Sequence, residues 1–199
     1  YMDGGDGGNA GDVYGIFGRD GFANCCLAGN ILYSLHGGYG GTGTLGRYPG
    51  NGGQGGSAEA ISSENSMIQC SVRNNLVYGS WGGVGGSGAP GIAWDGSGGD
   101  GGHASAIHGE GHRNLFANNT LGQSYGGARG TTPAEYKPLD GSAFCIQMAG
   151  GSENRYTNNV LFTTRRGSLI TYRSVKAIGL SVINPATSIA NYNCCLLYT

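Results

Sequence analysis

Two stretches, Asn114-Leu-Phe-Ala-Asn-Asn-Thr-Leu121 and Asn154-Arg-Tyr-Thr-Asn-Asn-Val-Leu161, decide the fold. Each holds an asparagine, a strand-like triplet, an asparagine pair and the start of an apolar phrase. That phrase recurs in both directions, as Asn30-Ile-Leu-Tyr33, Asn75-Leu-Val-Tyr78, Asn119-Thr-Leu121, Asn159-Val-Leu-Phe162 and Cys195-Leu-Leu-Tyr198. By subtraction the spacings are 45, 44, 40 and 36 residues. A second anchor lies upstream of each phrase, at Ile16, Ile61, Ile107, Ile146 and Leu180, spaced 45, 46, 39 and 34. Two independent anchors that step together define an internal repeat.

Inside the repeat, Ala58-Glu-Ala-Ile61, Ala104-Ser-Ala-Ile107 and Ala143-Phe-Cys-Ile146 alternate small and apolar residues, the pattern of short strands. The asparagine pairs Asn74-Asn75, Asn118-Asn119 and Asn158-Asn159 follow. Asparagine tolerates the left-handed backbone, and its amide can bond neighbouring peptide groups. At one corner of successive turns, Asn30, Asn75, Asn119 and Asn159 are therefore expected to stack into a hydrogen-bonded ladder. Ladders of this kind belong to solenoids, where each turn buries its inner face against its neighbours.

The two opening stretches resemble the right-handed parallel β-helix repeat proteins, the pectin-lyase-like architecture with three short strands per coil. The resemblance covers most of the chain outside its glycine tracts and implies architecture, not activity. It implies an all-β fold and one solenoid domain over 1–199, with coils near 1–36, 37–81, 82–125, 126–164 and 165–199.

Glycine supplies 43 of 199 residues, about 22% and roughly three times ordinary usage. Glycine costs about 1 kcal/mol per helix-interior position, so a helical protein is excluded. Glycine at every third position throughout is absent and only five prolines occur, so the chain is not collagen. No apolar run approaches the roughly 20 residues of a membrane span. Charged residues make up 12% with a net charge of −1, leaving no basic excess for a nucleic-acid partner. A hydrophobic share of 38%, in clusters, argues against disorder.

The glycines are organised. Gly37-Gly-Tyr-Gly-Gly41 and Gly82-Gly-Val-Gly-Gly86 leave the asparagine-anchored strand. Gly4-Gly-Asp-Gly-Gly8, Gly52-Gly-Gln-Gly-Gly56 and Gly98-Gly-Asp-Gly-Gly102 return to the isoleucine-anchored strand. Each excursion is an out-and-back hairpin with a Gly-Gly-X period. Period three matches the polyproline II screw, with two bare glycine edges that can approach neighbouring helices closely. The third edge carries Asp6, Tyr39, Gln54, Val84 and Asp100. These tracts look like the glycine-helix bundles of some bacteriophage adhesin tips and a springtail antifreeze protein. Ordered packing is the expectation; flexible loops are the alternative.

Six cysteines without zinc spacing point to an extracellular, disulfide-permissive setting. Cys25 and Cys70 each lie five residues before a ladder asparagine, so they share a column. That spacing fits a disulfide staple and two reduced, buried thiols equally. Cys194 and Cys195 fall in the asparagine columns, and Cys26 and Cys145 lack a partner in their columns, leaving them open to inter-subunit bonds. His108, Glu110 and His112 alternate with glycine on one face. A solvent-facing polar edge is the reading favoured over a metal site, and no cofactor is expected. Asn118-Asn-Thr120 is an N-glycosylation sequon at the ladder turn.

Glu59, Glu64, Asp95 and Asp100 show no stacked carboxylate column, so a polysaccharide lyase or hydrolase is a minority reading. The chain opens at Tyr1 without a signal peptide, which suggests a processed product or a fragment. Its uncapped ends suggest a structural subunit that self-assembles head to tail, with itself as partner. The alternative is a glycan-binding adhesin or tail-tip module using Tyr39, Trp81, Trp94 and Tyr125.

Overall fold

A computed structural model describes residues 3–91, 94–132, 138–165, 177–182, 189–191 and 194–196. Five repeat units follow one another. The first contributes β1 (Val13–Gly18), β2 (Phe22–Ala23), β3 (Cys26–Ala28) and β4 (Ile31–His36). The second contributes β5 (Ala58–Ile68), β6 (Ser71–Arg73) and β7 (Leu76–Trp81), and the third β8 (Ala104–His112), β9 (Leu115–Ala117) and β10 (Thr120–Tyr125). Then come β11 (Ala143–Met148), β12 (Arg155–Thr157) and β13 (Val160–Arg165), followed by β14 (Ala177–Val182), β15 (Ile189–Asn191) and β16 (Cys194–Leu196). No helix occurs among the described residues, hence none long and apolar enough to cross a membrane.

The strands form three parallel sheets, each pairing one repeat with the next. Their orders are β1-β5-β8-β11-β14, β3-β6-β9-β12-β15 and β4-β7-β10-β13-β16. The register matches the sequence anchors: Ile16 pairs with Ile61, Ile61 with Ile107, Ile107 with Ile146, and Ile146 with Leu180. Each sheet sends one such column inward. Leu32, Val77, Leu121 and Leu161 come from the third sheet, and Leu27, Val72, Phe116 and Tyr156 from the second. The Phe116 and Tyr156 rings stack with centroids 5.0 Å apart. All three columns belong to one hydrophobic cluster, so the three sheets share one core.

The corners are made by residues at positive φ. Asn74, Asn118 and Asn158 sit at φ near 55°, as the asparagine pairs suggest, and Gly29 takes the equivalent place in the first repeat. A second left-handed column runs through Asn24, Gln69, Arg113 and Glu153. In the third sheet, Ser34, Gly79 and Gln123 break the strand alternation. Tyr33 and His36 consequently both lie outside while Leu32 and Leu35 go inward.

The glycine arms are ordered. Within the first excursion Gly53 N–H donates to Gly41 O and Gly56 N–H to Gly38 O, pairing the return arm with the outgoing arm. Within the second excursion Gly102 likewise donates to Gly83, and between excursions Gly83 donates to Gly56, Gly86 to Gly53 and Gly127 to Gly102, all at 2.8 Å. In the arms over 37–44, 52–56 and 82–89, two of every three peptide N–H groups thus bond sideways, in the period expected from the sequence. Two edges of each inner arm face other arms, the first return arm leaves one edge open at Gly8 and Gly11, and the third edge carries X residues such as Asp6, Tyr39, Gln54 and Val84 into solvent.

The X side chains of the return arms also act. Asp6 Oδ1 accepts from Asn51 N–H at 2.7 Å, Asn51 Oδ1 from Ser97 N–H at 2.9 Å, and Asp100 Oδ1 from Leu139 N–H at 2.6 Å. Asn9 and Asp12 do the same for Gln54 and Ser57. An acidic or amide side chain therefore satisfies a peptide N–H of the following repeat that has no glycine carbonyl opposite it.

The absence of side chains is a steric requirement at most of these contacts. A Cβ on Gly83 would collide with the carbonyl of Gly38, whereas a Cβ on Gly8 would meet nothing within 4 Å. Gly83→Ala is expected to destabilise by several-fold more than Gly8→Ala in urea unfolding. Equal midpoints for the two variants would contradict the packed arms. For the core, Ile107→Ala is expected to cost about 2–5 kcal/mol, because it opens a gap between Ile61 and Ile146.

Candidate functional site

Three features stand out from the scaffold: the amide ladders with their cysteine column, a cleft on the outer face of the first sheet, and an aromatic strip on the outer face of the third. The ladder is formed as the sequence suggests. Asn30 Nδ2 donates to Asn75 Oδ1, Asn75 Nδ2 to Asn119 Oδ1, and Asn119 Nδ2 to Asn159 Oδ1, each at 2.9 Å. The same oxygens accept the backbone N–H of the preceding rung. The second amide proton goes to a carbonyl of the preceding strand, as from Asn119 to Val72 O at 2.8 Å.

A second ladder was not foreseen. Asn114 Nδ2 donates to Asn154 Oδ1 at 3.0 Å and to Met67 O at 2.8 Å, and Asn114 Oδ1 accepts from Cys70 N–H at 2.9 Å. This column continues through Cys70 to Cys25, whose sulfurs lie 3.4 Å apart as free thiols. The five-residue offset that links Cys25 and Cys70 to the first ladder, extended to Asn119 and Asn159, lands on Asn114 and Asn154. The signal was present in the sequence and stopped at the cysteines.

Among the other cysteines, Cys145, Cys194 and Cys195 differ from expectation. Cys145 is fully buried, with its thiol directed at the carbonyls of Leu121 and Phe162, so it offers nothing to another subunit. Cys26 is exposed. Strand β16 pairs Cys194 with Val160 and Cys195 with Leu161, so neither stands opposite Asn159 in the ladder column. A slip of two residues preserves which side chains face inward, so the apolar pattern could not fix that register. The side chains of Cys194 and Cys195 lie outside the described residues.

The cleft, about 730 Å³, is lined by Tyr14 and Phe17 of the first repeat, Glu59, Ser62 and Glu64 of the second and His108 of the third, among others. A bulge in β5 between Ser62 and Ser66 forms one wall, tied down by Asn65 Nδ2 donating to Arg19 O at 2.8 Å. His108 points outward as expected, but its environment is not simply solvent. Its Nδ1 lies 2.8 Å from Oε1 of the buried Glu59, and Ser62 Oγ donates to the other carboxylate oxygen. Burial pushes the Glu59 carboxyl up, yet His108 and Ser62 outweigh it and leave the group below the usual carboxylate range. Glu59 in turn raises the His108 imidazole, against the opposing effect of burial.

Glu110 and His112 remain exposed, and no cluster of metal-ligating side chains occurs among the described residues. The hydroxyl of Ser62 and the imidazole of His108 both address Glu59, so the three side chains do not make a serine–histidine–acid relay. What the arrangement can do is bind: the cleft is lined by the half-buried His108 paired with the buried Glu59 and by a stacked Tyr14–Phe17 ring pair, centroids 4.4 Å apart.

On the third sheet, His36, Trp81 and Tyr125 stack in consecutive repeats, with centroids 4.4 and 5.9 Å apart and planes within 13°. Tyr33 and Tyr78 are exposed on the same face. Tyr39 and Trp94 stand out from the glycine arms, 77% and 72% exposed. Asn118, the sequon asparagine, is exposed at its corner. No family model, no curated protein and no solved structure matches this chain.

Two outcomes are expected for the ladder. Asn119→Ala orphans two donors of Asn75 and the carbonyl of Val72, and should cost about 3 kcal/mol or more in urea unfolding. Asn118→Gly at the neighbouring corner should be close to neutral, since glycine adopts the same positive φ. For the cleft, a histidine NMR titration should place His108 above about 6.5, and Glu59→Gln should lower it. The raised histidine stabilises fully below about 6.5 and loses its contribution as pH rises through its folded midpoint. The lowered carboxyl stabilises above about 4.3 and loses its contribution as pH falls through its folded midpoint. The stability gap between wild type and His108→Gln should therefore be widest between those limits.

Proposed function

We propose that this chain is an extracellular structural subunit: a right-handed parallel β-helix, backed by polyproline-II-type glycine helices, that stacks head to tail into a filament or surface layer. Parallel strands joined by crossovers are right-handed in nearly all proteins, which supports the handedness. The observation that carries the reading is the glycine lattice, which bonds repeat to repeat in step with the three sheets. Such a layer has little side-chain chemistry and serves stiffness. Among the described residues, strands β1, β3 and β4 pair on one side only, so their edges can accept a further repeat, from the same chain or from a second copy. With charged residues at 12%, little repulsion opposes that contact.

Negative-stain microscopy and sedimentation over a range of concentrations test the proposal. Rods that lengthen with concentration are expected; a monodisperse monomer throughout would overturn it. A second reading, glycan binding, is favoured by the His36–Trp81–Tyr125 strip, whose aligned ring faces suit stacked sugar rings. A glycan-array signal lost in Trp81→Ala would support it, with polysaccharide as partner. Enzymatic turnover of polysaccharide is not adopted, because Glu59 absorbs both Ser62 and His108.

A further inference from the structure

The second amide ladder changes chemistry partway along. Asn154 and Asn114 are joined by an amide hydrogen bond, while Cys70 and Cys25 present two thiols in the same column. Thiols are weak hydrogen-bonding groups, so this rung holds its two repeats together less firmly than the asparagine rungs do. We propose that Cys25 and Cys70 form a cross-linking site that a small-molecule disulfide, such as oxidised glutathione, converts into a covalent clasp between the first and second repeats.

The geometry is already in place. Asn24 N–H donates to Ile68 O and Ser71 N–H to Cys25 O, both at 2.9 Å, so backbone bonds on either side fix the two cysteines opposite each other. Paired parallel strands lie about 4.8 Å apart, inside the range a disulfide spans. The sulfurs, 3.4 Å apart, need only close to about 2.0 Å. Closure gives up the contact of Cys70 Sγ with Ile68 O and leaves the bond from Cys70 N–H to Asn114 Oδ1 intact.

The chemistry balances through thiol–disulfide exchange. Cys25 is half-exposed and Cys70 buried, so the Cys25 thiolate meets the reagent first. It attacks one sulfur of the reagent's disulfide, forms a mixed disulfide and releases one glutathione. The Cys70 thiolate then attacks the Cys25 sulfur and releases the second. Two protein S–H bonds are lost and one S–S bond forms; the reagent's disulfide is reduced to two thiols, which take up both protons. Burial and the neighbouring Cys70 push the Cys25 thiol up to about 11, so the first step accelerates with rising pH. Cys26, exposed beside it, takes up a glutathione cap without a partner across the repeat.

The site lies within one chain and does not depend on the assembly proposed above. Its test is peptide mapping of the folded chain after incubation with oxidised glutathione at mildly alkaline pH. A Cys25–Cys70 linked peptide is expected in wild type and in Cys26→Ser, and neither Cys25→Ser nor Cys70→Ser should form it. In Cys26→Ser the linked peptide should weigh about 2 Da less than the two reduced peptides together, for two hydrogens lost. Its thermal midpoint should rise by on the order of 10 °C and return on reduction, as closing a long loop implies. Persistent glutathione on Cys25, a Cys25–Cys26 link, or cross-linking only after unfolding would each overturn the proposal.

Discussion

The lateral N–H···O=C bonds between glycine arms exist because two of the three edges of each arm carry no side chain. Carbonyl oxygens occupy the space that Cβ atoms would fill, as Gly38 O does opposite Gly83. Such bonds also demand that neighbouring arms keep one relative height. That constraint is met by the sheets, whose registers hold every isoleucine of the inner column opposite the next. Ordering glycine costs more backbone entropy than ordering any other residue, so isolated arms would not hold their shape. Glycine layer and sheets thus depend on one another through register.

The same register fixes the polar devices. Asparagine at the ladder positions donates to the next rung and to the preceding strand at once, which leaves its buried amide fully used. Aspartate and asparagine on the return arms cap peptide groups of the following repeat. All of these devices repeat with the chain and lock the same alignment. The result is a body whose stability is spread along its axis, as in other repeat proteins.

Much of this was legible in the sequence. The isoleucine column and the first asparagine ladder follow from subtraction alone, since a parallel repeat places equal positions in contact. The Gly-Gly-X period anticipated sideways bonding, although which arms bond could not be read from spacing. The Glu59–His108 pair was hidden because it is diagonal: Glu59 stands opposite Ser105 and His108 opposite Ser62, so no column contains both. The β5 bulge that walls the cleft leaves no mark in a periodicity count. Cys195 was misplaced because a two-residue slip keeps the inward pattern, and only the strand pairing distinguishes the two registers.

The glycine arms form a hydrogen-bonded layer as firmly held as the sheets. Native-state hydrogen exchange of the amides of Gly53, Gly83, Gly86 and Gly102, compared with those of Ile61 and Ile107, addresses it directly. Protection of the glycine amides comparable to that of the strand amides is the expected result. Exchange of the glycine amides at free-chain rates, while the strand amides stay protected, would contradict it.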